Sequence, residues 1–313
     1  MSTVLYILLA VVLLVLLGGG FTFCMACVRL VEMPWFDEKK LNRTPLRKYS
    51  QYVRNSDIYL REHNAREVFI TSGDGLKLSG TWLAADNPKG TVILAHGYRS
   101  SKYLDFSPAL EPYHDYGLNI LLPDQRAHGK SQGRLITFGV KESDDIARWV
   151  AWHNEQYGEI PLVLSGLSMG ASTVLFLADA DLPANVKGII ADCGFTSPWE
   201  IISWVFKKVT HLPPLVAVWV ADGFARIFGG FSFRQKDTRK SLANSRLPVL
   251  MIHGEADGFV PCEMTRQGYA ACTGEKQVLF VEGAEHALSF LVDGERYKEM
   301  VQAFLNKNLG GTV

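Results

Sequence analysis

Six short segments of this chain are almost wholly apolar: TVILAHG (91–97), NILLPDQ (119–125), PLVLSGLS (161–168), VKGIIADCG (186–194), PVLMIHG (248–254) and QVLFVEG (277–283). A strand with one wet face alternates apolar and polar residues. A strand that reads as a continuous apolar run is buried on both faces. Helical stretches separate the runs, with candidates at 106–116, 140–157, 169–180, 263–271 and 297–305. Ahead of them, EVFITS (67–72) and LKLSGTWLAA (76–85) flank Gly73-Asp74-Gly75, which is a hairpin signal. An antiparallel hairpin followed by strand–helix alternation predicts an α/β fold, with a mostly parallel central sheet flanked by helices. There is no internal repeat and no low-complexity segment.

The N-terminus obeys a different rule. Residues 4 to 28 carry no charged side chain. A run of that length crosses a bilayer as a helix, which needs roughly 20 apolar residues. A helix also satisfies its own backbone groups in hydrocarbon. Met1, Ser2 and Thr3 supply no basic n-region, and the run exceeds an ordinary signal core, so a retained transmembrane anchor is expected over residues 1–28. The segment 29–63 reads as a basic juxtamembrane linker, with Arg29, Lys39, Lys40, Arg43, Arg47, Lys48 and Arg54. This charge bias favours the cytoplasmic side for the rest of the chain. The same stretch suits either a solvated linker or contact with anionic lipid head groups. Asn42-Arg43-Thr44 has the form of a glycosylation acceptor.

The main domain is expected over 64–313. Its alternation breaks at 195–245, where SPWEIISWVFKKV and LVAVWVADGFARIF are apolar and aromatic. A connection that long is functional or disordered, and this one is too apolar for disorder. It reads as a helical cap insertion, with extra core over the sheet as the alternative. The 32 basic and 32 acidic side chains balance, so nothing points to nucleic acid. Five cysteines, with three widely spaced, do not form a disulfide framework, and the Cys24/Cys27 spacing reads as incidental.

The motif that carries chemistry is Gly166-Leu167-Ser168-Met169-Gly170. It follows a predicted strand and opens a predicted helix, the context in which G-x-S-x-G presents a nucleophile on a tight, strained turn. A serine hydroxyl is a weak nucleophile until a base takes its proton. In this arrangement the acid and then the histidine follow the serine in chain order. Asp257 stands just past one later strand and His286 just past the next. The backbone N–H of Met169, the residue after the serine, is the expected first oxyanion donor. Asp192 also follows a strand and is the second candidate for the acid. No HExxH, carboxylate cluster or phosphate-binding glycine loop is present, so no metal and no cofactor is expected.

These motifs, together with His253-Gly254-Glu255-Ala256-Asp257, Val260-Pro261 and Gly283-Ala284-Glu285-His286, resemble those of the α/β-hydrolase superfamily. They are similar in particular to small membrane-anchored bacterial hydrolases of the serine aminopeptidase-like (S33-type) and BEM46-like groups. The resemblance covers roughly residues 64–310. It implies a second oxyanion donor from the backbone of Tyr98, within His96-Gly97-Tyr98. It also implies that Asp124, Arg126 and His128, within Asp124-x-Arg126-x-His128-Gly129-x-Ser131, organise a structural loop beside the site, with His96 shaping the oxyanion loop. His253 is expected to be structural.

A Ser168–His286–Asp257 triad predicts hydrolysis of an ester, thioester or related acyl bond through an acyl-enzyme, on a small-molecule or lipid-like acyl substrate. An aminopeptidase with the same triad is the alternative, and would use an acidic cap residue (Glu200, Asp222 or Asp237) to hold the substrate amine. A binding protein that has lost catalysis is the third reading, and it conflicts with the presence of all three residues.

Overall fold

The computed structural model describes residues 2–29 and 50–310. Helix α1 (Ser2–Cys27) is followed, after the undescribed stretch, by α2 (Ser50–Glu62). The hairpin β1 (Arg66–Thr71) and β2 (Lys77–Leu83) comes next. The alternating part runs β3 (Gly90–Ala95), α3 (Lys102–Asp115), β4 (Leu118–Pro123), α4 (Val140–Tyr157), β5 (Leu162–Leu167), α5 (Met169–Leu175) and β6 (Val186–Asp192). The insertion holds α6 (Pro198–Thr210), α7 (Leu215–Phe224), a π-helical turn (Ala225–Gly229) and α8 (Thr238–Ala243). The chain closes with β7 (Val249–Gly254), α9 (Cys262–Ala271), β8 (Lys276–Val281), α10 (Ser289–Val292) and α11 (Gly294–Leu309).

The eight strands form one sheet in the order β1-β2-β4-β3-β5-β6-β7-β8. β1 and β2 pair antiparallel, β2 joins β4 antiparallel, and every later pairing is parallel. The continuous apolar runs behave as their composition requires: every residue of β3, β4 and β7 is buried. Edge strand β1 is largely exposed. One core cluster contains Trp82, Ile93, Trp149 and Leu164, and a second contains Val92, Leu122, Ile252 and Phe304. Val92 and Ile93 are adjacent on β3, so these clusters lie on opposite faces of the sheet. A third cluster lies under the insertion and joins Met169, Phe195, Ile201, Val218 and Phe233 to Phe23 and Cys27 of α1.

Three elements differ from the sequence expectations. The part of the 29–63 segment from Ser50 onward is helix α2, which lies on α3 through Tyr59, whose hydroxyl bonds His114 Nδ1 at 2.7 Å. Val53, Ser56 and Leu60 are its buried residues, one face of a helix. Lys39, Lys40, Arg43, Arg47, Lys48 and the Asn42 tripeptide lie outside the described residues. Helix α5 stops at Leu175 rather than 180, because Leu177, Ala178 and Ala180 switch to i→i−3 hydrogen bonds that tighten the chain into turns. Finally, α1 does not stand apart from the domain: its last turns pack on α7. Gly19 lies so close to Val220 that a Cβ there would overlap that side chain, and Phe23 stacks on Phe224 at 6.2 Å.

Candidate active site

Ser168 sits between β5 and α5 with φ 55° and ψ −115°, a region that side-chain-bearing residues rarely adopt. Such strain persists only where the surroundings over-determine it. The flanking glycines do so. A Cβ on Gly166 would overlap the Gly170 carbonyl, and one on Gly170 would overlap the Ala95 carbonyl of β3. The Ser168 N–H donates to the Asp192 backbone carbonyl at 2.8 Å, which fastens the turn to β6.

Three sequence-separated side chains meet at this turn. Ser168 Oγ lies 3.0 Å from His286 Nε2, and His286 Nδ1 lies 2.6 Å from Asp257 Oδ2. The other carboxylate oxygen of Asp257 accepts the N–H groups of Phe259 at 2.8 Å and Val260 at 2.9 Å. Burial pushes the Asp257 carboxyl up, but hydrogen bonds and charge from His253 and His286 outweigh it and hold the group well below the usual carboxylate range. His253 Nε2 stands 3.0 Å from the Val260 carbonyl and 3.2 Å from Asp257 Oδ2, while its Nδ1 reaches Thr265 Oγ1 at 2.7 Å, so it packs against the acid. The rival Asp192 is buried behind the turn and accepts from Ser289 Oγ at 3.3 Å. Burial raises its carboxyl to about 6.

The loop after β3 lies against the turn: a Cβ on Gly97 would meet Ser168 Cβ at 3.3 Å. Among the described residues no hydrogen bond takes up the N–H of Tyr98 or of Met169. Met169 is the first residue of α5, where N–H groups have no partner within the helix. The loop is held by Asp105, which the sequence did not single out. Its Oδ2 accepts the Gly97 N–H at 2.6 Å and its Oδ1 the Ser100 hydroxyl. Burial raises this carboxyl to about 6. Only the fold brings it to the loop, so no spacing rule would have found it. His96 and His128 hold the same loop from below, accepting the N–H groups of Gln125 and Arg99, each at 3.0 Å. Burial pushes His96 down to about 4 and His128 to about 3, so both stay neutral. Asp124 pairs with Lys102 at 3.0 Å, and Arg126 bridges Asp145 and Asp74, all structural contacts.

A cavity of about 270 Å³ opens beside Ser168 and His286, lined among others by Leu104, Phe106, Phe290 and Leu291. Phe259 packs its ring 5.0 Å from that of His286. The acidic cap residues are occupied elsewhere. Glu200 and Asp237 both bond Arg239, and Asp222 is buried against Arg226, Ser232 and the Phe233 N–H. The one described cluster of metal-type donors is Cys193, Asp257 and His286, within 4.8 Å of one another. Burial raises the Cys193 thiol well above its usual range and keeps it protonated, and the other two are bonded together, so this set fits a hydrogen-bonded pair better than an ion.

A strained serine turn at the carboxyl end of a parallel strand, with a histidine–carboxylate pair beyond it on this sheet order, matches known folds. The chain has the α/β-hydrolase fold. Residues 86–223 match the model of serine aminopeptidase, S33, and residues 183–288 that of serine hydrolase (FSH1). The chain is 29% identical over 266 residues to uncharacterized protein YqkD of Bacillus subtilis, covering 80% of this chain and 87% of that one. It is 24% identical over 197 residues to the uncharacterized membrane protein YNL320W of Saccharomyces cerevisiae, 62% of each. Among solved structures, the Pyrococcus furiosus esterase Pf2001 superposes with a TM-score of 0.65 and 27% identity, covering 80% of this chain and 94% of that one. The hydrolase GrgF of a Penicillium species shares the fold with a TM-score of 0.62 at 19% identity, over 79% and 99%. The serine-hydrolase family matches and the esterase neighbour support a hydrolase.

Proposed function

We propose that this protein hydrolyses a carboxylic ester, thioester or related acyl bond through a Ser168–His286–Asp257 triad, on a lipid-like or other small acyl substrate, while anchored in a membrane by α1. The observation that carries the reading is the unbroken hydrogen-bonded line from Ser168 Oγ through the imidazole to Asp257, set against a largely apolar cavity. In the first half-reaction His286 Nε2 takes the Ser168 proton as Oγ attacks the carbonyl carbon. Asp257 holds the imidazole in the tautomer that accepts this proton and stabilises the imidazolium. The N–H groups of Tyr98 and Met169 receive the developing oxyanion. The imidazolium then protonates the leaving group. In the second half-reaction a water, deprotonated by the same nitrogen, releases the acid and restores the serine. The occupied state of Glu200, Asp222 and Asp237 favours this over the aminopeptidase reading, which needs a free carboxylate for the substrate amine.

The full-length chain, in detergent or vesicles, should be labelled by a fluorophosphonate probe, and Ser168→Ala should not be. A panel of acyl esters, thioesters and aminoacyl amides separates esterase from peptidase. A well-folded wild type that takes no label defeats the mechanism. Preferential cleavage of aminoacyl amides defeats the acyl-ester assignment.

A further inference from the structure

The apolar surface of the insertion lies beside the part of α1 that carries the anchor. Helix α1 is long and apolar enough to cross a membrane from Thr3 to Cys27. Its contacts with α7 advance in parallel: Gly19 meets Ala217 and Val220, Gly20 meets Phe224, and Phe23 meets Phe224 and Phe228. The two helices therefore run side by side in the same direction, with the start of α7 pointing away from the domain. Elements packed laterally at one level share one depth. Twenty residues counted from Thr3 end near Thr22, so Gly19 lies about 5 Å inside hydrocarbon and Leu215 roughly 7 Å deeper.

The chemistry of this hairpin fits that depth. On α7 and the π-helical turn, Leu215, Val216, Trp219, Ile227 and Phe228 are between 56% and 75% exposed, although all are apolar. Val209 and Leu212 at the tip are exposed as well. In lipid, unpaired backbone donors are costly. The connection 211–214 has few: the His211 N–H bonds the Lys207 carbonyl, the Leu212 N–H bonds Thr210 Oγ1, and Pro213 and Pro214 carry none, while the first-turn N–H groups of α7 point along the helix axis without a side-chain cap. The acid of α7, Asp222, is buried and paired with Arg226. Lys207 and Lys208 stand a turn back from the tip, where long basic side chains reach the interface.

We propose that the α6–α7 hairpin inserts beside α1 into the membrane leaflet next to the domain, with the π-helical turn at the interface, so that the enzyme is seated by two elements and not tethered by one. This rests on α1 being a membrane anchor. Both loops flanking the serine are fastened to the seated elements. The Tyr98 hydroxyl and the Arg99 guanidinium donate to the Ala26 and Met25 carbonyls at 2.8 Å. Lys208 Nζ donates to the Gly258 carbonyl, beside Asp257.

The test uses the full-length chain in phosphatidylcholine–phosphatidylglycerol vesicles. Flotation reports anchoring. Tryptophan emission in vesicles with bromine on the acyl chains, compared between wild type and Trp219→Phe, isolates the Trp219 contribution. We expect co-flotation and a roughly twofold quenching of that contribution, as for a side chain within the acyl region. Flotation without quenching overturns the inserted hairpin and leaves the anchor standing. A Trp219 contribution shielded by a second copy, seen as cross-linked dimers without quenching, overturns it too. Failure to float overturns the anchor, and the seating with it.

Discussion

The turn at Ser168 and the junction between α1 and the insertion are built in opposite ways. The turn is local. Five consecutive residues carry its geometry, and its glycines are required by contacts with neighbouring backbone. The α1–α7 junction is assembled from residues some 200 positions apart, and its affinity comes from apolar fit between Gly19, Phe23, Val220 and Phe224. Damage to the turn should therefore abolish chemistry outright. Damage to the junction should loosen the enzyme by degrees.

The sharpest break falls on the proposed triad. Ser168→Ala is expected to lower kcat by about 10⁵-fold or more with little change in unfolding midpoint. Asp257→Asn should cost about 10⁴-fold, since the imidazole would then hold the wrong tautomer. Asp192→Asn should leave kcat within about tenfold, because its hydrogen-bond partners are Ser289 and Tyr297 and not His286. A larger loss at Asp192 than at Asp257 would reverse the assignment of the acid. Next in size is Gly170→Ala, whose Cβ has no space beside Ala95. A loss of more than about 4 kcal/mol, or no folded protein, is expected in chemical unfolding.

The junction should respond less. Phe23→Ala empties a site in the cluster beneath the insertion and should cost roughly 3 kcal/mol, with kcat reduced only partly. If activity instead vanished while the fold held, the junction would be as tightly coupled to chemistry as the turn.

The smallest effect is a pH slope. An unfolded aspartate ionises near 3.9, whereas burial holds Asp192 at about 6 in the fold. Between these values the unfolded chain has lost a proton that the native state keeps. Stability from this group therefore falls as pH rises from about 4 to about 6. Asp257, held low, acts in the opposite sense, and its contribution is lost progressively as pH falls below about 4. Asp192→Asn should flatten the decline between pH 4 and 6 in urea midpoints. An unchanged slope would mean that another buried acid, Asp105 foremost, dominates it.

What could be read from the chain alone follows the same divide. The strands were legible because burial on both faces forces continuous apolar runs, and β3, β4 and β7 are buried throughout. The serine turn was legible because its constraints lie within five residues. Helix α2 was not, because its buried face is only Val53, Ser56 and Leu60 amid polar neighbours. Asp105 carried no signal at all, since its partner Gly97 becomes its neighbour only when α3 folds back over β3. Likewise the sequence named two strand-end aspartates, and the fold placed Asp257 and not Asp192 against His286 Nδ1. The sequence by itself determined the apolar N-terminal helix, the layered sheet and the strained serine, because each depends on local pattern and burial. The tertiary structure alone decided which acid meets the histidine and how α1 docks on the insertion, because those contacts exist only once distant segments share one surface.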